Sequence, residues 1–200
     1  MLKKLIVIVS LVFVSAAGIF VFWFWRENQE INLIKSLAVR HPDGQNFVEE
    51  ILKAKKDLID FDLKNDLAAL IKRGVNYNLL GEKQKALDDY QRALKISPDN
   101  LLVLNNLAEI YNDWAEFQKS EEYFLKLLEF YPQNTLAWRK LGYLYWYRLN
   151  KTPTEIENFF KSGLAKTNNS PDLLSWLASY FQEIGDNQKF VEYANRLIKP

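Results

Sequence analysis

A period of 34 residues constrains this chain more than any other feature. Laying Leu67–Asn100 over Leu101–Asn134 puts Leu70, Gly74, Tyr77, Ala86, Tyr90, Ala93 and Pro98 in register with Leu104, Ala108, Tyr111, Ser120, Phe124, Leu127 and Pro132. Large apolar, small and proline positions recur together, so each copy is one unit that buries its apolar face against its neighbours. Each unit reads as helix, turn, helix. In the first, 67–80 forms helix A, Gly81 permits a positive-φ turn, Lys83–Ile96 forms helix B, and Pro98 stops it. Gly74, Ala86 and Ala93 are small enough for close helix approach, and Tyr77 and Tyr90 fill the space between.

These positions resemble the tetratricopeptide repeat family. Its pattern is Trp or Leu, Leu-Gly and Tyr on helix A, then Ala, Phe or Tyr, Ala and a closing Pro on helix B. Arg73 stands where that pattern has Leu before Gly74. A third copy from Thr135 carries Trp138, Leu141, Gly142 and Tyr145, then a longer turn, Asn150–Pro153. Thr152 and Glu155 form the ends of a capping box there, and Phe160 and Gly163 take the Phe and Ala roles. A fourth copy holds Leu174, Leu177, Ala178, Phe181, Gly185, Phe190, Tyr193, Ala194 and Leu197, opened by Ser170-Pro171-Asp172. The repeats lie near 67–100, 101–134, 135–170 and 171–200. A general array of helical hairpins is also all-α, but it leaves the period unexplained.

The resemblance implies an all-α domain over 67–200, a right-handed α-α superhelix of about four hairpins. It also implies a concave groove, lined by the A helices, that binds an extended peptide or a partner helix without catalysis. In the family's register, the second, fifth, ninth and twelfth places of helix A face that groove. Here these include Asn105, Glu109, Asn112, Arg139, Tyr143, Trp146, Ser175, Ser179 and Gln182. Asn and Gln pair with peptide backbone, and Tyr143 and Trp146 offer flat apolar area at low entropy cost. Both rings, with Tyr147, are equally suited to packing on neighbouring helices. The basic clamp of some family members for a C-terminal carboxylate is not supported, because Ile71 and Val75 occupy two of its places.

The chemistry of the remaining residues points away from other classes. The 26 basic and 25 acidic residues nearly cancel, and setting aside Lys3, Lys4 and Arg26 leaves 23 bases against the 25 acids. Such a body has no electrostatic reason to bind nucleic acid. With no Cys, disulfides, thiolate metal sites and Cys nucleophiles are excluded. His41 lies in the turn-rich string Arg-His-Pro-Asp-Gly and reads as an exposed loop histidine. The acid pairs Asp88-Asp89 and Glu121-Glu122 sit one turn from Arg92 and Lys126, which reads as a solvated helix face. No phosphate loop, nucleophile elbow or metal-ligand spacing is present, so no enzyme activity, cofactor or metal is expected.

The N-terminus is of another kind. Leu5–Trp25 contains no charge, and as a helix it extends about 32 Å, the thickness of a bilayer's hydrocarbon core. Lys3 and Lys4 precede it, Arg26 closes it, and Trp23 and Trp25 fall at one end, where indoles favour the interface. Val14-Ser15-Ala16-Ala17 offers a signal-peptidase pattern, but cleavage there would leave an exposed Ile-Phe-Val-Phe-Trp-Phe-Trp start. Residues 1–26 are therefore read as an anchor in the lipid bilayer through 5–25. The short flank with its Lys pair places the N-terminus in the cytoplasm and the repeats outside a bacterial inner membrane. Residues 27–66 form a helical linker or cap, with a helix over Phe47–Ile59 opened by a capping pair, Asn46 and Glu49.

Together these readings describe a membrane-anchored module that binds or scaffolds a protein partner through its groove, in envelope assembly or secretion. The alternative is a structural subunit of a membrane complex, or a scaffold that associates with itself.

Overall fold

The computed structural model of the chain describes residues 19, 21–58 and 63–198, and all regular structure among them is helical. In order these are α1 (21–36), a 3-10 turn (Leu37–Arg40), α2 (Gly44–Asp57), α3 (Leu63–Leu79) and α4 (Lys83–Ile96). Then come α5 (Leu101–Asp113), α6 (Phe117–Phe130), α7 (Thr135–Tyr147), α8 (Pro153–Lys166), α9 (Pro171–Glu183) and α10 (Asn187–Ile198). The helices group into two compact units that divide inside α4, between Asp89 and Tyr90.

In the first unit α1 and α2 run antiparallel. Ile34 and Leu37 are buried at the closed end, as are Val48, Ile51 and Ala54 along α2. At the open end Lys55 Nζ lies 2.9 Å from Glu27 and 2.8 Å from Glu30. Burial opposes the charge on Lys55, but its hydrogen bonds to Glu30 and Glu27 outweigh that and raise its pKa. Helix α2 begins at Gly44, three residues before the expected Phe47. The Gly44 N–H donates to His41 O at 2.9 Å and the Asp43 N–H donates to His41 Nδ1 at 3.1 Å, which closes the turn early. Asn46 therefore lies inside the helix, and the capping pair expected of Asn46 and Glu49 gives way to Asp43 in the cap position.

Helix α3 starts one turn earlier than expected, whereas α4 spans the expected residues. Gly81 has φ 77 in the turn between them. Arg73 and Asp89 join the two helices: Nε donates to Oδ2 at 2.7 Å and Nη2 donates to Oδ1 at 2.6 Å. Asp89 is only 3% exposed, so the expected solvated face is corrected at this position. The pairing also accounts for Arg73 in place of Leu. Tyr77 is buried beside this pair, and burial chiefly pushes its hydroxyl up to about 12.

The second unit stacks three hairpins, α5/α6, α7/α8 and α9/α10, each contacting the next. Asn100 and Asn134, 34 residues apart, cap α5 and α7 alike, accepting from Val103 N–H at 3.1 Å and Ala137 N–H at 3.0 Å. The box expected at Thr152 and Glu155 forms at the start of α8. Ser170 occupies the cap of α9 without a side-chain hydrogen bond. The core runs through Leu104, Phe124, Leu141, Phe160, Leu177, Phe181 and Tyr193. Gly142 is required by packing: a Cβ there would stand 2.3 Å from Phe160 Cζ.

Among the described residues no helix is long and apolar enough to cross a membrane. Residues 1–18 and 20, most of the apolar run on which the anchor was read, lie outside the described residues. At the start of α1, Val21, Phe22, Trp23, Phe24 and Trp25 are each more than half exposed. Five consecutive residues turn through more than a full helical circuit, so apolar side chains project on every side.

Candidate functional site

Helices α7 and α9 lie side by side, and between them runs a cleft of about 290 Å³. From α7 it is lined by Arg139, Tyr143, Trp146 and Tyr147. From α9 it is lined by Asp172, Ser175, Trp176, Ser179, Tyr180 and Glu183. Five of the nine groove residues read from the register thus meet in one place: Arg139, Tyr143, Trp146, Ser175 and Ser179. A second cleft of about 560 Å³ holds Glu109 and Asn112 of α5 with Phe124, Lys140, Tyr143, Leu144, Tyr147 and Arg148. Tyr143 and Tyr147 line both, their rings stacked 6.1 Å apart as a ridge between them. Asn105 and Gln182 stand outside both linings.

The ridge is held by the rings beneath it. Trp176 stacks on Phe160 at 4.2 Å, in the space that Gly142 leaves open. Tyr143 meets Trp176 edge-on at 5.4 Å, and Trp146 meets Tyr180 edge-on at 4.8 Å and stacks on Tyr147 at 4.3 Å. Edge-to-face and offset contacts of this kind suit the ring quadrupoles. Trp176 and Tyr180 are buried and form the floor. Trp146 is half-buried, so much of its surface is spent on packing, while Tyr143 and Tyr147 remain exposed at 44% and 53%.

The surface mixes hydroxyl, guanidinium and ammonium donors with the carboxylates Asp172, Glu183 and Glu109. Burial raises the Tyr180 pKa, and burial followed by the Glu183 carboxylate raises that of Tyr147. Both phenols keep their protons; the Tyr147 hydroxyl is engaged with Glu183, and Tyr180 is buried in the floor. In the second cleft Lys140 Nζ lies 2.6 Å from Glu109 Oε1 and donates to Asn105 Oδ1 at 3.1 Å. Two of the groove residues are therefore already bound to this lysine. Lys140 was missed because it falls one place past the groove register. The buried floor residues Trp176 and Tyr180 were missed for the same reason, although their helical spacing of four is visible in the sequence.

Other titratable groups have structural partners. His41 is half-buried, accepts from the Asp43 N–H and packs on Phe47 at 5.1 Å between ring centres. It is a turn-closing residue, less exposed than a loop histidine. Glu157 of α8 is buried with Lys189 and Tyr193 of α10, accepting from Tyr193 Oη at 2.9 Å, and Lys161 lies at 3.0 Å. Burial works against its charge, but these three donors prevail and hold its carboxyl down at about 2. Among the described residues no group of three His, Asp or Glu side chains is arranged to hold a metal.

Comparison with known proteins agrees with the hairpin geometry. The family model for the tetratricopeptide repeat matches residues 68–100 and again 102–134, so these two hairpins are tetratricopeptide repeats. Tetratricopeptide repeat protein 6 of Homo sapiens is 38% identical over 65 residues, which is 32% of this chain and 12% of that protein. The uncharacterized protein ycf37 of Pyropia yezoensis is 32% identical over 94 residues, 46% of this chain and 53% of that one. The chain thus spans from an eighth to about half of these curated relatives. Among solved structures, MamA from Desulfovibrio magneticus superposes with a TM-score of 0.57 at 13% identity, over 84% of this chain and 93% of that one. A tetratricopeptide repeat protein from Parabacteroides merdae gives 0.53 at 23% identity, over 77% of this chain and 66% of that one. At these identities the shared property is the all-α repeat fold.

Proposed function

We propose that this chain is a membrane-tethered interaction module that holds a protein partner in the trough formed by α5, α7 and α9. The observation that carries the reading is the exposed ridge of Tyr143 and Tyr147 between two adjoining clefts. Rigid rings give contact area at little entropic cost, and the hydroxyl, amide and guanidinium groups around them pair with peptide backbone and carboxylates. Open clefts between parallel helices suit an extended segment or a helix. Tethering is supported by the all-round apolar start of α1, since a helix that is apolar on every side belongs in a core or in lipid.

The test places a photo-crosslinking residue at Tyr143 of the full chain in its native membranes, with Leu125 on α6 as control. Capture of one heterologous protein from Tyr143, lost when Arg139→Ala is added, supports the trough. Equal capture from Leu125 rejects it. A second reading, a self-associating scaffold, is favoured by Val191 and Ile198, which α10 leaves exposed at 52% and 76%. In that case a crosslinker at Val191 yields a dimer of the chain, and Tyr143 yields nothing.

A further inference from the structure

We infer that the end of the first unit where α1 begins and α2 ends docks on the headgroup layer of a lipid bilayer, with Lys53 and Lys56 reaching headgroup phosphates. The inference rests on the reading of residues 5–25 as an anchor and adds a defined contact surface on the folded body.

Depth decides the matter. Helix α1 is unbroken from 21 to 36, so its position along the bilayer normal is fixed once Trp25 is placed at the interface. At 1.5 Å per residue, Glu27 and Glu30 stand about 3 and 7.5 Å beyond Trp25. The polar layer outside the hydrocarbon core is about 5–7 Å thick on each side, so both glutamates fall within or at its edge. Lys55 reaches them at 2.9 and 2.8 Å and so fixes the last turns of α2 at the same depth.

The side chains displayed at that depth match the layer. Lys55 is spent on Glu27 and Glu30 inside the unit. Lys53 and Lys56, on the same two turns, are exposed, as is Arg26. Asp57 adds one carboxylate, and Glu27 and Glu30 outnumber Lys55 by one, so the described residues at this end carry four cations against three carboxylates. Lysine stems of this length lie along apolar surface and lift their ammonium groups to phosphate oxygens. The other end of the hairpin is remote: residue 35 stands about 15 Å beyond Trp25 along α1, and Gln45 shares that end of the unit.

The absence of Cys makes the test direct. Full chains with Phe22→Cys, Lys56→Cys or Gln45→Cys are labelled with one fluorophore and reconstituted in phosphatidylcholine–phosphatidylglycerol vesicles. Nitroxide lipids carrying the spin on the acyl chain or on the headgroup then serve as quenchers. The expected pattern is acyl-chain quenching at 22, headgroup quenching at 56 severalfold stronger than at 45, and little of either at 45. If 22 is quenched and 56 is no more quenched than 45, the docking surface is overturned while the anchor stands. If 22 is unquenched by both, the anchor itself fails.

Discussion

Arg73 grips Asp89 with two hydrogen bonds, 2.7 and 2.6 Å long, across sixteen residues and between the two helices of one repeat. The pair is largely removed from water, with side chains 13% and 4% exposed. Replacing one partner takes the bidentate counter-charge away from the other, which stays in the interior. Arg73→Leu puts back the residue that the repeat pattern favours, yet it is expected to cost about 3 kcal/mol in urea unfolding. The double variant Arg73→Leu with Asp89→Leu should recover most of that loss, because it removes both charges.

Glu157 predicts an acid-sensitive C-terminal hairpin. Its folded pKa of about 2 lies below the ordinary value of 4.5, so the native state binds the proton more weakly than the unfolded chain. The stabilisation is complete above about pH 5 and is lost as the pH falls from there toward 2. The gap corresponds to about 3 kcal/mol at neutral pH. Urea unfolding at pH 7, 4 and 3 should show this decline. Glu157→Gln should be less stable at pH 7 and should lose little more on acidification.

Ala115 occupies the turn position that Gly81 holds one period earlier. Its φ is 58, and the same two turn hydrogen bonds form in both, from residues 81 and 82 and from 115 and 116. A side chain in the left-handed region is strained by about 1 kcal/mol or more. Ala115→Gly should therefore stabilise the chain by about 0.5 kcal/mol once the added freedom of the unfolded glycine is subtracted. A raised urea midpoint at unchanged slope checks this; a lowered midpoint contradicts it.

Gly142→Ala should loosen the aromatic floor. The added methyl meets the Phe160 ring at 2.3–2.5 Å and Trp176 at 3.3 Å, so Phe160 has to move and take the stacked Trp176 with it. Overpacking of this kind costs about 1–3 kcal/mol. Near-UV circular dichroism should lose aromatic signal while far-UV helix content is kept. Trp146→Ala, which thins the ridge without a clash, should leave the floor signal of Trp176 largely intact.

The periodic residues made the helices legible because each reports a purely local demand. Lys83–Ile96 is bounded by a turn glycine and a proline, and Thr152 with Glu155 marks a helix start by hydrogen bonds three residues apart. The misread positions depend on partners far along the chain. Asp89 looked solvated beside Asp88 because Arg73 lies sixteen residues back and on another helix. The binding of Asn105 and Glu109 by Lys140 spans 35 and 31 positions and has no local signature. The register brought Arg139, Tyr143 and Ser179 to one surface, but only packing separates exposed Tyr143 from buried Trp176.

The contact between residue 142 and the Phe160 ring also bears on how such a chain can drift over generations. The two positions lie eighteen residues apart, yet they cannot change independently or in either order. Shrinking the ring first leaves a hole that the aromatic cluster can tolerate, and a methyl at 142 can then fill part of it. Growth at 142 first passes through a clash. Descendants of this chain should therefore show a side chain at 142 only in lineages where 160 has already become small.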